Sequence, residues 1–269
     1  MPELPEVETV KETLKRKILN KTINKVEVFY PKMIEYPTQE EFKKELINQT
    51  IIDIKRKGKW LMFELNDYYL LSHLRMEGKY NIKQNEQINK HEHVIFYFDD
   101  FNLRYQDTRK FGRMYLYPKN EVYDKKPLNE LGYEPWDENL TEQYLKEKYQ
   151  KLKKPIKEVL LDQSIITGIG NIYADEILFL SKINPFKKPN ELTNDELKNI
   201  IESTRKILKE AIKQGGTTIR TYTSSEGVHG RFQQNLLVHN KETCKICNTK
   251  LEKVKIGGRT TYYCSKCQK

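Results

Sequence analysis

The residues with the clearest chemical potential stand at the start of the chain, where Met1 precedes Pro2 and Glu3. An initiator methionine is usually removed before a residue as small as proline. Pro2 would then carry a free secondary amine, which can attack an electrophilic carbon and form an iminium, as a lysine amine does. A terminal amine titrates at about 8, so more of it is unprotonated at neutral pH than of a lysine side chain. The carboxylates of Glu3 and Glu6 lie close by in sequence and are candidate acid/base partners.

The same segment also has the pattern of an amphipathic helix over about Glu6–Ile18. Pro5 suits the first turn of a helix, and acidic residues suit its positive end. An apolar face is formed by residues at helical spacing, namely Leu4, Val7, Val10 and Leu14. A purely structural helix would explain these residues as well, and the two interpretations are compatible.

All four cysteines lie at the end of the chain, as Cys244, Cys247, Cys264 and Cys267. The spacing C-x2-C-x16-C-x2-C is typical of a four-cysteine zinc site, with Gly257 and Gly258 at the tip of a connecting β-hairpin. Disulfides are the alternative, but two close pairs in an intracellular chain disfavour them. We expect one structural Zn²⁺ with no open coordination position, and neither a catalytic metal nor an organic cofactor.

The charge of the chain favours an anionic polymer as the partner. The net charge is +10 and the isoelectric point is about 9.1. A small basic zinc hairpin suits the tracking of phosphates. Arg259 would stand at its exposed tip, where the side chain could enter a groove or simply be a solvated loop arginine. No secretory signal and no long apolar stretch is visible, so we expect a cytoplasmic protein without a membrane partner.

The order of the predicted elements indicates an α+β chain. Seven short runs rich in β-branched and aromatic residues predict an antiparallel sandwich: Lys25–Tyr30, Ile51–Lys55, Trp60–Leu65, Tyr68–Leu74, His93–Phe98, Asn102–Asp107 and Met114–Tyr117. The first helix and a second over Glu40–Gln49 would flank it. Later helices are predicted over Thr141–Lys151, Ile156–Leu161, Ile172–Leu180 and Asp195–Lys213. The predicted domains are 1–125, a linker over 126–140, 141–234 and 235–269.

A tight turn between two of these helices is a candidate anion site. Gly168 and Gly170 precede Asn171, so backbone N–H groups and the Asn171 amide would open onto the next helix N-terminus. This arrangement suits a DNA phosphate. A plain corner between two helices would have the same sequence pattern.

The chain resembles the formamidopyrimidine-DNA glycosylases in blocks that run in order along its whole length. These blocks are Pro2–Thr9, Lys57–Trp60, Ser72–Gly78, Asp107–Gly112, Gly168–Asp175, Gly215–Thr218 and the cysteine motif. The resemblance implies an N-terminal antiparallel β-sandwich with flanking helices, a helix–two-turn–helix domain and a β-hairpin zinc finger, with DNA in the cleft between the halves. It also implies a monomeric base-excision-repair enzyme, associated with the nucleoid when bound to DNA.

The activity implied by the resemblance is removal of 8-oxoguanine and formamidopyrimidines, followed by β,δ-elimination at the abasic site. Pro2 would attack C1′ of the damaged nucleotide, and Glu3 would protonate the sugar ring oxygen. Lys59 would contact the phosphate next to the lesion, and Arg259 would grip phosphate from the zinc finger. Glu6 would order the active site.

The damaged nucleotide must leave the duplex to reach such a site, and side chains must fill the space it leaves. Met76, Arg109 and Phe111 resemble the family's filling residues, although taken singly Met76 and Phe111 would be read as core residues. The resemblance also implies DNA-side contacts from His91, Lys157, Asn171 and Tyr173. A loop over 215–229 would close on the flipped base, with hydrogen bonds from Thr217, Thr218 and Tyr222.

Three departures from the family pattern bear on individual DNA contacts. Thr108 stands where the family commonly has proline, Lys110 where a second arginine is frequent, and Val238–Thr243 replaces a more usual aromatic-Gly-Arg sequence. Two rival functions remain. An endonuclease VIII-like glycosylase would act on oxidised pyrimidines, but Leu4 and the filling residues favour the formamidopyrimidine type. A non-catalytic binder of damaged DNA would not need Pro2.

Overall fold

The computed structural model describes residues 1–217 and 230–269, so Thr218 and Tyr222 lie outside the described residues. Two compact units are present. The first comprises Met1–Asn129 together with Thr217 and Gly230, and the second comprises Glu130–Gly216 and Arg231–Lys269. The four predicted domain ranges stay a prediction.

Two β-sheets form the body of the first unit. Its strands are β1 (Lys25–Val28), β2 (Ile34–Tyr36), β3 (Asp53–Lys57), β4 (Trp60–Glu64), β5 (Tyr68–His73), β6 (Lys79–Lys83), β7 (Glu92–Tyr97), β8 (Asn102–Gln106) and β9 (Arg113–Pro118). One sheet has the order β1-β7-β8-β6 and the other β2-β9-β5-β4-β3. Neighbouring strands are antiparallel except β2 and β9, which pair in parallel.

The two sheets share one apolar core, as the predicted sandwich requires. Phe63 and Leu70 from one sheet and Phe96 and Leu103 from the other belong to the same buried cluster. The predicted α+β class is confirmed. Strands β2 and β6 were not predicted, because β2 has only three residues and β6 alternates lysine and asparagine with its apolar residues.

Two helices complete this core. Helix α1 (Leu4–Ile18) buries its predicted apolar face and begins two residues earlier than expected, and helix α2 (Gln39–Leu46) buries Phe42 and Leu46. Each buried side chain of this size contributes about 1.5–3 kcal/mol of hydrophobic free energy. The start of the chain is therefore tied to the sandwich through α1.

The second unit is helical and ends in a β-hairpin. Its elements are α3 (Glu142–Tyr149), α4 (Ile156–Val159), α5 (Asn171–Leu180), α6 (Asn194–Lys213), β10 (Glu252–Ile256) and β11 (Arg259–Tyr263). Helix α5 is buried along most of its length, and it packs against α6 and β11. Within the part of the chain that the structure describes, no helix combines the length and apolarity needed to cross a membrane.

A buried ion pair fixes the segment between β6 and β7. Arg104 on β8 is 3% exposed and Glu92 is 1% exposed. The Arg104 guanidinium donates to Glu92 Oε2 at 2.8 Å and to the Glu86 carbonyl at 2.7 Å. Removal of the guanidinium would leave the buried Glu92 carboxylate with Lys83 at 2.9 Å and the Asn89 N–H at 3.0 Å.

The Arg104→Ala variant should lower the free energy of unfolding by about 3–5 kcal/mol, because it breaks a buried ion pair. Lys25→Ala, which removes the exposed pair with Glu27, is the matched control and should cost less than about 1 kcal/mol. Urea unfolding followed by circular dichroism measures both values. Equal losses for the two variants would contradict this account.

Candidate active site and zinc centre

The first residues of the chain are held against the first turn of α1. Pro2 and Glu3 precede the helix, and both are buried. The Glu3 N–H donates to Glu6 Oε2 at 2.9 Å, which satisfies one of the backbone donors that a helix start leaves unpaired. The chain start therefore has a defined position beside two carboxylates.

The second oxygen of Glu6 binds a residue far along the chain. Glu6 Oε1 accepts hydrogen bonds from the Thr217 N–H at 2.8 Å and from the Thr217 hydroxyl at 3.0 Å. Glu6 is 1% exposed and Thr217 is 4% exposed. One buried carboxylate thus joins the chain start to Thr217. Of the three residues predicted to bond the flipped base from the loop, Thr217 is the one that the structure describes.

Lys59 lies at the tight turn between β3 and β4. Gly58 has a φ of 58°, a left-handed conformation that glycine adopts without a steric penalty. Arg56 donates to Glu8 of α1 at 2.7 Å and to the Gly58 carbonyl at 3.0 Å. These bonds connect the turn to the helix that positions Pro2.

The groups at the chain start interact electrostatically. Burial holds the pKa of the Met1 amine below its ordinary value, partly offset by the charges of Glu3 and Glu6, while the charge of Lys59 lowers it further. This pKa belongs to the Met1 amine, which is lost when Met1 is removed. While Met1 is attached, the nitrogen of Pro2 is an amide and is not nucleophilic.

His73 is a further candidate site residue that the sequence pattern did not predict, although it lies inside the Ser72–Gly78 block. Its ring centroid lies 4.7 Å from that of Trp60, and its Nδ1 accepts the Arg75 N–H at 2.9 Å. Burial lowers the pKa of His73 well below its ordinary value, helped by the charges of Arg75 and Lys59. His73 is therefore a neutral ring beside the Lys59 turn.

The predicted filling residues lie on two turns of the first unit. The 74–78 turn carries Met76, which is half-buried. The 107–112 turn carries Arg109 and Phe111, and Phe111 is 45% exposed, which is unusual for a core aromatic. The Arg109 guanidinium lies 4.7 Å from the centroid of the Phe111 ring.

The 107–112 turn is held from inside by the buried carboxylate of Asp107. This carboxylate accepts the backbone N–H groups of Arg109 at 3.0 Å, Phe111 at 2.9 Å and Gly112 at 2.8 Å. The half-buried His91 adjoins the same turn, since its carbonyl accepts the Asp107 N–H at 3.0 Å. The turn is thus rigid at its base and exposes its side chains.

Two predicted DNA contacts of the second unit are buried. Lys157 has no exposed surface; its ammonium pairs with Asp175 and donates to the Asn171 carbonyl at 2.8 Å. Tyr173 also has no exposed surface, and its ring packs 6.0 Å from that of Phe232. A direct phosphate contact by either side chain would require a rearrangement, because neither faces solvent in this structure.

The β10–β11 hairpin places Arg259 close to Asn171. Asn171 is the first residue of α5, and its Nδ2 donates to the Thr260 carbonyl at 2.9 Å. The Asn171 Oδ1 is buried and has no hydrogen-bond partner among residues 1–217 and 230–269. Arg259 immediately precedes Thr260 and is exposed. These two predicted residues are therefore held on adjoining backbone.

Two acidic residues of α5 anchor the hairpin and the segment before it. Asp175 Oδ2 binds His239 Nδ1 at 2.6 Å and accepts the Tyr262 N–H at 3.2 Å. Glu176 accepts three backbone N–H groups, from Leu237, Val238 and His239, at 2.7, 3.0 and 2.8 Å. Burial nevertheless raises the pKa of Glu176.

The four cysteines form a cluster with the dimensions of a zinc site. Their sulfur atoms all lie within 4.8 Å of one another, with Cys244 and Cys267 at 3.9 Å and Cys247 and Cys264 at 3.5 Å. A tetrahedral ion with Zn–S bonds of about 2.3 Å requires sulfur separations of about 3.8 Å. A disulfide would require about 2.05 Å. The predicted structural zinc centre is confirmed, and the predicted disulfide alternative does not fit.

Comparisons with known proteins find family matches along the chain. Residues 1–114 match the formamidopyrimidine-DNA glycosylase N-terminal domain, and residues 131–223 match the formamidopyrimidine-DNA glycosylase H2TH domain. Residues 241–269 match a zinc finger found in FPG and IleRS. All three matches agree with the sequence resemblance.

Similar whole proteins are also known. Formamidopyrimidine-DNA glycosylase of Oceanobacillus iheyensis is 47% identical, covering 100% of this chain and 98% of that protein. The Bacillus cereus protein of the same name is 50% identical, covering 100% and 99%. A complex between Lactococcus lactis Fpg and DNA containing an abasic site has a TM-score of 0.93 and 41% identity, covering 99% of each chain. A complex of that wild-type protein with DNA containing N7-benzyl-Fapy-dG has the same values.

The Cys264→Ala variant should lose the bound metal, because three thiolates and no fourth ligand remain for a tetrahedral ion. Metal analysis by inductively coupled plasma mass spectrometry should find about one zinc ion per chain in the unaltered protein and much less in the variant. The exposed neighbour variant Ser265→Ala is the control and should keep the metal. A metal-free protein with four oxidised cysteines would contradict the zinc assignment.

Proposed function

The chain belongs to the formamidopyrimidine-DNA glycosylase family, and we propose that it excises oxidised purines from duplex DNA and then cuts the abasic strand. It is a DNA glycosylase that acts on damaged DNA. The proposed substrates are 8-oxoguanine and formamidopyrimidines in duplex DNA, and abasic sites. The complexes of the Lactococcus lactis protein with abasic-site DNA and with Fapy-dG derivatives support this choice.

The observation that carries the proposal is the buried chain start, where Pro2 and Glu3 lie beside Glu6. The charge of Lys59 acts on the terminal amine of Met1, the residue that precedes Pro2. After loss of Met1, the Pro2 nitrogen attacks C1′ of the damaged nucleotide. The N–C1′ bond forms as the glycosidic bond breaks, and the base leaves with the bonding electrons and takes up a proton. The nitrogen then loses its proton, Glu3 protonates the ring oxygen, and the bond from C1′ to that oxygen breaks, which opens the sugar and leaves an iminium.

Strand cleavage follows from the chemistry of the iminium. The positive nitrogen acidifies the C2′ protons, so loss of one expels the 3′ phosphate by β-elimination. A second proton loss expels the 5′ phosphate by δ-elimination. Hydrolysis of the remaining iminium by water then returns the Pro2 amine and releases the sugar fragment as an aldehyde. No metal takes part in these steps as proposed, and the zinc centre supplies a stable hairpin for Arg259.

Phosphate groups near the lesion are assigned to cationic and amide side chains. Lys59 is proposed to contact the phosphate next to the lesion from its rigid turn. Arg259 and Asn171 are proposed to grip phosphate from the hairpin and the start of α5, where a helix N-terminus favours an anion. Lys157 supports this role indirectly, because its ammonium binds the Asn171 carbonyl. Tyr173 contributes by packing.

The flipped nucleotide leaves a gap that the two turns are proposed to fill. Phe111 and Met76 act as apolar wedges, and such unstacking costs a few kcal/mol per step. Arg109 would donate to the orphaned base, which is ordinarily cytosine opposite an oxidised guanine. His91, which adjoins the 107–112 turn, is proposed to contact the DNA backbone. The bond from Thr217 to Glu6 would connect the capping loop to the reacting end of the chain.

Single-turnover excision from two duplexes tests this function. With Met1 removed, the protein should release 8-oxoguanine opposite cytosine at least about tenfold faster than thymine glycol, a preference of about 1.4 kcal/mol in activation free energy. Gel separation of the nicked strands measures both rates. A preference for thymine glycol would support the endonuclease VIII-like alternative, and binding without cleavage would support the damage binder.

Matched carboxylate variants on the same segment provide the control. Glu3→Gln should slow excision by about a hundredfold or more, because an amide cannot donate the required proton. Glu12→Gln changes an exposed carboxylate of α1 and should leave the rate unchanged. Equal rates for these two variants would contradict the role proposed for Glu3.

A further inference from the structure

The two turns that carry the filling residues are separate in sequence but adjoin in the first unit. In the 74–78 turn, the Gly78 N–H donates to the Leu74 carbonyl at 2.9 Å, and Arg75 has a left-handed φ of 53°. In the 107–112 turn, Asp107 holds the backbone as described above. Each turn is therefore held by its own hydrogen bonds. Contacts between the two turns must set their spacing.

Tyr105 of β8 sets how closely the two turns approach. Its side chain is fully buried, and a Cβ placed on either Gly78 or Gly112 would overlap the Tyr105 hydroxyl. The hydroxyl end of the ring therefore lies against the backbone of both turns. This close approach is possible because residues 78 and 112 are glycines and have no Cβ. The Tyr105 hydroxyl has no hydrogen-bond partner in the described parts of the chain, so this contact is one of packing.

A side-chain hydrogen bond connects the turns on the outer side. The Thr108 hydroxyl donates to Glu77 Oε2, joining the residue after Asp107 to the residue after Met76. Thr108 is exposed and Glu77 is half-buried. Proline, which the family commonly has at this position, has no hydroxyl and could not form this bond. The connection therefore depends on a residue in which this chain departs from the family pattern.

Glu77 also acts electrostatically on the chain start. Its negative charge is among those that raise the pKa of the amine at the chain start, against the larger effect of burial. The hydrogen bond from Thr108 therefore holds a carboxylate of the 74–78 turn whose charge also acts on the chain start. A displacement of Glu77 would move Met76, its neighbour in sequence, relative to Arg109.

We propose that the Thr108–Glu77 hydrogen bond is a positioning contact that fixes the spacing of the filling turns and thereby sets selectivity for the base opposite the lesion. This inference rests on the proposed function. Arg109 can distinguish cytosine from adenine only if its guanidinium reaches the base edge within about 3 Å, since hydrogen bonds weaken steeply beyond that range. Tyr105 limits the approach of the turns, and Thr108 limits their separation.

A double-mutant cycle tests the proposal through the ratio of 8-oxoguanine excision opposite cytosine to that opposite adenine. Thr108→Val removes the hydroxyl while keeping the shape, and it should lower the ratio about three- to tenfold, as expected for one lost hydrogen bond. Glu77→Ala should lower it by a similar factor. The double variant should lower it no further, because both changes remove the same contact. Thr108→Ser should restore the ratio.

The outcomes separate this inference from the function on which it rests. The thermal unfolding midpoint of Thr108→Val should stay within a few degrees of that of the unaltered protein, because Thr108 is exposed. An unchanged ratio in Thr108→Val, additive losses in the double variant, or equal excision opposite both bases by the unaltered protein would each overturn the inference alone. Failure of the unaltered protein to excise 8-oxoguanine would overturn the proposed function and the inference together.

Discussion

The buried carboxylate of Glu6 is the interaction on which the candidate active site depends. A carboxylate that loses its water must be hydrogen-bonded, because an unpaired buried charge costs several kcal/mol. Glu6 meets this requirement with the backbone N–H of Glu3 on one oxygen and with Thr217 on the other. The chain start cannot move away without breaking the hydrogen bond from the Glu3 N–H to Glu6 Oε2. The nitrogen of Pro2, the proposed nucleophile, is therefore placed by the same bond that closes the first turn of α1.

The second unit uses the same principle for a different purpose. Asp175 and Glu176 are buried acids of α5 whose oxygens bind the backbone before the zinc hairpin, the hairpin itself and Lys157. A small hairpin buries too little apolar surface to be stable by itself, so the zinc centre and the α5 acids supply what a core cannot. Arg259 is exposed on this support, and Asn171 is fixed beside it.

Local patterns predicted much of the fold because they depend on near neighbours in sequence. Alternating apolar residues located most strands, helical spacing located the apolar face of α1, and two CxxC pairs located the metal centre. Strand β6 was not predicted, because lysines and an asparagine alternate with its apolar residues. This polar composition is explained by the position of β6 at the edge of its sheet. Resemblance to a family supplied the roles proposed for the site residues, which composition and spacing could not.

Contacts between distant residues could not be predicted. The bond from Thr217 to Glu6 spans 211 positions, and no local signal in either segment identifies the partner. Lys157 is a similar case, because a lysine in a short helix looks exposed until its buried partner Asp175 is known. The sequence thus identified a chemically capable Pro2 and Glu3, and the structure identified what holds them.

The central claim is that the nitrogen of Pro2 forms the covalent bond to the sugar. The most direct measurement is borohydride trapping on a duplex containing 8-oxoguanine, followed by digestion and tandem mass spectrometry of the linked peptide. We expect the reduced sugar on the nitrogen of Pro2, in a protein that has lost Met1, and little trapping when Met1 or an added N-terminal residue is retained. An adduct on Lys59 or another lysine, or equal trapping with Met1 attached, would contradict the account.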